Sequence, residues 1–148
     1  YDSKNLLPHT GMLYFFADID YFLGNLEADS PGMGQWDKDR FCVLYAPETE
    51  HLDTHRIVCE DGTAFGLPAQ ELSFVHCEER ADGFKLLGKP YFEETEEEYP
   101  HYISLLQLDC NDDWRLQFYD CGMLNFLITP EDLAARKWEQ AICHLHSF

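Results

Sequence analysis

Residues 122–133, GMLNFLITPEDL, place a glycine, an apolar run and a helix start in immediate succession. The run MLNFLI has strand length and is bounded by Gly122 and by Thr129-Pro130, which predicts a buried strand. Thr129 can cap a first helical turn, Pro130 suits the first helical position, and Glu131 with Asp132 complement the positive end of the dipole. The helix is expected over 130–136. A related phrase, GMLYFFADIDYF, stands at residues 11–22. Gly11, Met12, Leu13 and Phe15 are identical to Gly122, Met123, Leu124 and Phe126. Each run then reaches an acidic stop, Asp18 and Asp20 in one copy, Glu131 and Asp132 in the other. A duplicated unit follows as the reading.

Outward from these two phrases, further strands are expected. MLYFFA alternates too little to be half exposed and suits a strand covered on both faces. RFCVLYA (40–46) is rich in β-branched and aromatic residues and ends at Pro47. A short strand around 57–59 leads into a turn at Asp61 and Gly62. LSFVHC (72–77) alternates like a strand, and YISLLQLD (102–109) is a central-strand candidate. Between 18 and 39, Pro31, Gly32 and Gly34 mark a surface loop. Gly88 and Pro90 mark a bend in KLLGKPYF, CNDDW is a turn, and EETEEE (93–98) is a solvated loop. AICHLHSF reads either as a last strand, with Cys143 and Leu145 opposite His144 and His146, or as a continued helix, because Leu133, Ala134, Trp138, Ala141, Ile142 and Leu145 are also helically spaced.

The chain has 148 residues, of which 45% are hydrophobic and 15% aromatic, enough for a single folded domain with its own core. Its apolar runs fall far short of the roughly 20 residues of a membrane helix. Lys and Arg number 10 against 28 Asp and Glu, giving a formal net charge of −18. That balance repels phosphate backbones and anionic lipid, so neither nucleic acid nor membrane is an expected partner, whereas a basic protein is. The six cysteines include no CxxC pair and are expected as reduced, buried thiols. No signal-peptide pattern precedes Leu6, which makes a cytoplasmic location the default.

Taken together, LLPHTGMLYFFADID, RFCVLYAP, LLGKPYF, YISLLQLDCNDDW and YDCGMLNFLITPEDL resemble the YwqG-like family of bacterial proteins, a group classed as a domain of unknown function. The resemblance spans nearly the whole chain. It implies an α+β fold, a β-rich mixed sheet built from two related halves with short helices, here about 1–80 and 81–148 of one domain. Its motif residues map onto Gly11, Phe15, Gln107, Asp109, Asp120, Gly122, Phe126 and Asp132. In the family a Leu-x-Gln strand also precedes the first glycine-led strand. Its counterpart is not found before Gly11, so a strand from a longer polypeptide or from a partner is expected to cover MLYFF. The family's Trp-Gly-Asp-x-Gly turn is replaced by Phe118, Tyr119, Asp120, Cys121 and Gly122.

Few constellations carry chemistry. Asp109, Asn111, Asp113 and Asp120 occupy positions 1, 3, 5 and 12 of a calcium-loop spacing. Trp114 stands where the sharp turn needs glycine, so a polar hairpin connection accounts for them equally. His51 and His55 have helical i, i+4 spacing without the glutamate of a zinc-protease motif. Cys143, His144 and His146 could join Cys110 or Cys121 around zinc. Gln107, on the face assigned to Ile103 and Leu105, must find partners if buried and is expected to tie the halves together. No cofactor and no catalytic residue is identified. Three classes of function remain: a non-catalytic acidic interaction module, immunity-like in one version, meeting a basic protein through Glu93, Glu94, Glu96, Glu97 and Glu98 and the 18–39 loop; a small-molecule or metal binder using a cleft between the halves; and an enzyme with acidic residues. The first is the preferred reading.

Overall fold

The computed structural model describes residues 2, 4–50, 53, 57–58, 60–62, 64–65 and 71–148. In chain order its elements are β1 (Met12–Ala17), β2 (Gly34–Gln35), β3 (Phe41–Ala46), β4 (Ile57–Val58), β5 (Ala64–Phe65), β6 (Lys85–Leu86), α1 (Glu93–Glu98), β7 (Ile103–Leu108), β8 (Met123–Ile128), α2 (Pro130–Ala134) and β9 (Ile142–His146). Single 3-10 turns occupy Tyr21–Leu23, Asp112–Trp114 and Trp138–Gln140. A five-stranded sheet runs β2-β9-β8-β7-β6, with β1-β3 and β4-β5 as separate pairs. All pairings are antiparallel, which corrects the expected mixed sheet. The links between β6, β7, β8 and β9 carry α1, the 3-10 turn at Asp112–Trp114, and α2 with the 3-10 turn at Trp138–Gln140.

Every residue of β8 is buried. On one face Leu124, Phe126 and Ile128 join Leu105, Cys143 and Leu145 in the main core. The β1-β3 pair lies against that face: Phe15 meets Phe126 edge-on with ring centroids 5.1 Å apart, and Phe41 meets it at 6.1 Å. The corresponding phenylalanines of the two sequence phrases are therefore in contact. Their surroundings differ, since β1 pairs with β3 alone whereas β8 lies at the centre of five strands. Gly122 is required for space, because a Cβ there would sit 2.5 Å from the Phe118 carbonyl oxygen and 2.9 Å from that of His146.

The tail folds as a strand and not as a continued helix. The Thr129 hydroxyl accepts from the Asp132 amide at 3.1 Å and donates to the Asp132 carboxylate at 2.9 Å, so the cap forms as read, and α2 ends at Ala134, before 136. β9 then places Cys143 and Leu145 opposite His144 and His146. The hairpin expected after 57 is present as β4-β5. His51, His55 and Cys59 lie outside the described residues.

Five local expectations are corrected. EETEEE is α1, not a loop. MLYFFA is not covered on both faces: register puts Met12, Tyr14, Phe16, Cys42, Leu44 and Ala46 together on an outward apolar face, with Phe16 54% and Leu44 52% exposed. LSFVHC forms no strand and is exposed throughout. The 18–39 stretch carries two core aromatics, Phe22 and Trp36, stacked at 6.0 Å, and β2, so it is more than a surface loop. Of the described cysteines only Cys143 is buried, while Cys42, Cys77 and Cys121 are exposed free thiols.

Truncating the ring that joins the two layers tests this packing. Phe126→Ala is expected to destabilise the fold by about 3–5 kcal/mol in denaturant titration. A Phe15/Phe126 double-mutant cycle should return a coupling of about 0.5–1.5 kcal/mol. Additive losses would show that this contact does not join the layers.

Candidate functional site

The second face of the five-stranded sheet differs in kind from the first. Strand register aligns Lys85 with Gln107, Gln107 with Asn125, Asn125 with His144, and His144 with Gln35. One polar residue from each of β6, β7, β8, β9 and β2 therefore forms a transverse row, of which all but Gln35 are buried. A register shift between Ser104 and Leu106 in β7 moves Gln107 onto this row and leaves Ile103 paired with Ile128 on the apolar face. This corrects the expected sharing of a face by Gln107, Ile103 and Leu105.

The row is anchored at one end by backbone. Lys85 Nζ donates to the carbonyls of Glu79, Ala81 and Lys89 at 3.2, 3.0 and 2.7 Å, which engages all three of its hydrogens. Burial lowers the pKa of this amine. Gln107 accepts from the Tyr91 amide at 2.9 Å and donates to the carbonyls of Ala81 and Gly83 at 3.2 and 2.9 Å. Its partners all fall within 81–91, so Gln107 fastens that loop, where it was expected to tie two halves together. Further along, Ser104 Oγ donates to Asn125 Oδ1 at 2.9 Å.

Helix α1 covers this face. Phe92, Thr95 and Tyr99 are spaced three and four apart, which puts them on one side of the helix. The Phe92 ring meets His146 at 4.6 Å, the Tyr99 ring meets His144 at 5.1 Å, and Thr95 is wholly buried. Tyr99 OH donates to Gln35 Oε1 at 3.3 Å, completing the cover over β2. Burial, with Glu98 alongside, pushes the Tyr99 phenol upward. The glutamates divide accordingly. Glu96 accepts from Lys89 at 2.8 Å and pairs with Arg80. Lys89, with Arg80, holds its carboxyl below the ordinary range against the opposing effect of burial. Glu93, Glu94, Glu97 and Glu98 are exposed. Of these Glu98 lies 4.0 Å from His144 Nε2. Burial holds the His144 imidazole below its ordinary 6.5, with Glu98 opposing and His146 adding to the effect.

The remaining sequence candidates serve local structure. Asn111 Oδ1 caps the 3-10 turn by accepting from the Trp114 amide at 2.9 Å, and Asp109 Oδ1 accepts from the Cys110 amide at 2.7 Å. The Asp120 carbonyl accepts from Ser147 Oγ at 2.8 Å. Cys143 faces the apolar core, and strand alternation turns it away from His144 and His146, so the proposed zinc set is not assembled. No group of three or more His, Cys, Asp or Glu side chains able to hold a metal occurs among the described residues. No helix among them is long and apolar enough to cross a membrane. Lys85, Ser104 and Asn125 were not singled out from sequence, although each interrupts an apolar run.

Residues 2–146 match a protein family described as a domain of unknown function, DUF1963. No curated protein matches the chain.

Because the native state holds His144 neutral, its contribution to stability is fully present above 6.5 and is lost as pH falls below that value. Denaturant midpoints should therefore fall over the pH window just below 6.5, and His144→Leu should flatten that slope. A wild-type midpoint that rises on acidification through this window would mean that protonated His144 is stabilised by Glu98.

Proposed function

This chain belongs to the DUF1963 family, and from that premise we propose that it is a non-catalytic acidic module that binds a basic protein. The observation that supports this reading is the division of labour on α1. Only Glu96 is committed to internal cations, whereas Glu93, Glu94 and Glu97 form no ion pair among the described residues. The contact between Tyr99 and Gln35 also places the end of α1 beside β2, immediately ahead of exposed Asp37 and Asp39. The chain's net charge of −18 accelerates encounter with a cationic partner. In finer terms we read the family as YwqG-like and bacterial, the protein as a cytoplasmic single domain of two related halves, and its role as immunity-like.

A second reading rests on the outward face of β1-β3. Exposed Met12, Phe16 and Leu44, on a strand pair separate from the main sheet, suit coverage by a further strand, from the same polypeptide or from a partner.

Capture from native extract tests the first reading. A basic protein should be retained at low salt and released at high salt, and the Glu93→Lys/Glu94→Lys/Glu97→Lys variant should lose it while keeping its unfolding midpoint. Retention that is insensitive to both salt and the triple substitution rules the acidic surface out. For the second reading, a strand added to β1 should be lost in Phe16→Lys/Leu44→Lys but not in the glutamate variant. β1 amides that exchange equally fast in extract-bound and isolated protein would count against it.

A further inference from the structure

Four side-chain polar atoms beneath α1 are fully buried and have no hydrogen-bond partner among the described residues: Thr95 Oγ1, Asn125 Nδ2, His144 Nδ1 and His144 Nε2. They do not form a scattered set. Register pairs Asn125 directly with His144 on neighbouring strands and on the same face, and buried Thr95 stands on α1 between Phe92 and Tyr99, whose rings meet His146 and His144. We propose that Thr95, Asn125 and His144 form an internal hydration site, so that α1 is seated on ordered water rather than directly on side chains.

The donor and acceptor inventory selects the ligand. Asn125 has its Oδ1 engaged by Ser104 and offers two hydrogens on Nδ2. Neutral His144 offers one N–H and one lone pair, whichever tautomer it adopts, and the Thr95 hydroxyl can do either. The occupant must therefore both accept and donate, and it must be uncharged. Lys85, at the far end of the row, already has its three hydrogens on carbonyls, so no free cation awaits an anion there. Glu98 keeps a carboxylate that is 56% exposed and solvated, so it does not call for a buried cation. Water is the smallest neutral molecule with two donors and two acceptors, and a buried water typically makes about three hydrogen bonds. The 4.0 Å gap between His144 Nε2 and Glu98 is too long for a direct hydrogen bond and is a distance at which a bridging water acts.

A high-resolution crystal structure should show at least one ordered water within hydrogen-bond distance of two or more of the four atoms. In solution, the Asn125 side-chain amide should give a cross-relaxation peak to long-lived water, and oxygen-17 relaxation dispersion should count at least one such water fewer in Thr95→Val than in the wild type. Asn125→Leu should show the same loss, and Thr95→Val keeps the test available if Asn125→Leu does not fold. A dry seat with Asn125, His144 and Thr95 bonded directly to one another, or a count of long-lived waters unchanged in Thr95→Val, would overturn the assignment.

Discussion

The contact of the Phe126 ring with those of Phe15 and Phe41 joins the β1-β3 pair to the five-stranded sheet, and the other layers take their positions from the strand that carries it. β8 is buried along its whole length because it has a covering layer on each side and a hydrogen-bonded strand at each edge. A strand in that position must present two buried faces, and its alternation decides what each layer meets. Leu124, Phe126 and Ile128 meet aromatic and aliphatic side chains. Asn125 points the other way, where an apolar layer would leave its amide unpaired.

The sheet sets a row of polar residues in register across this face, from Lys85 to Gln35, and Ser104 engages Asn125 Oδ1. Lys85 and Gln107 turn this constraint to structural use. The loop from 79 to 91 has only the short strand β6, so several of its carbonyls lack ladder partners, and buried carbonyls need donors. Lys85 Nζ and Gln107 Nε2 together supply them to Glu79, Ala81, Gly83 and Lys89. Gly88, at φ 104, makes the bend that returns the chain toward α1. The cover is thus delivered to the polar face by the residues that make that face polar.

The elements legible in the sequence were those whose signal is local and chemically exclusive. Strands β3, β7 and β8 have apolar runs of strand length, interrupted only by Ser104 and Gln107 in β7 and by Asn125 in β8, and the Thr129-Pro130-Glu131-Asp132 start leaves little choice at α2. What composition obscured was decided by neighbours distant in sequence. EETEEE looks like a self-repelling loop until Arg80 and Lys89 take up Glu96 and Thr95 turns inward between Phe92 and Tyr99. Phe22 and Trp36 lie in a stretch broken by acidic residues, Pro31 and several glycines, and their burial depends on Phe118 and β9. MLYFFA reads as doubly buried because its outward residues Met12, Tyr14 and Phe16 are nearly as apolar as its inward ones, so no periodicity separates them. The polar row left a trace in the Lys, Gln, Asn and His that interrupt four apolar runs. Aligning them requires the register, including the β7 bulge, which no single run encodes.

Helix α1 shows why the row and the acidic surface belong to one account. Its inward positions, Phe92, Thr95 and Tyr99, are fixed by the sheet below, so the glutamates at 93, 94 and 97 must face solvent whatever their use. Surface charge and seating are therefore independent along most of the helix. Glu98 is the exception, since its carboxylate is solvated yet stands 4.0 Å from the buried His144. A cationic partner drawn to this helix would compete for Glu98 and weaken its support of a protonated His144. Burial already disfavours that charge, so binding at the acidic surface and protonation beneath it oppose one another.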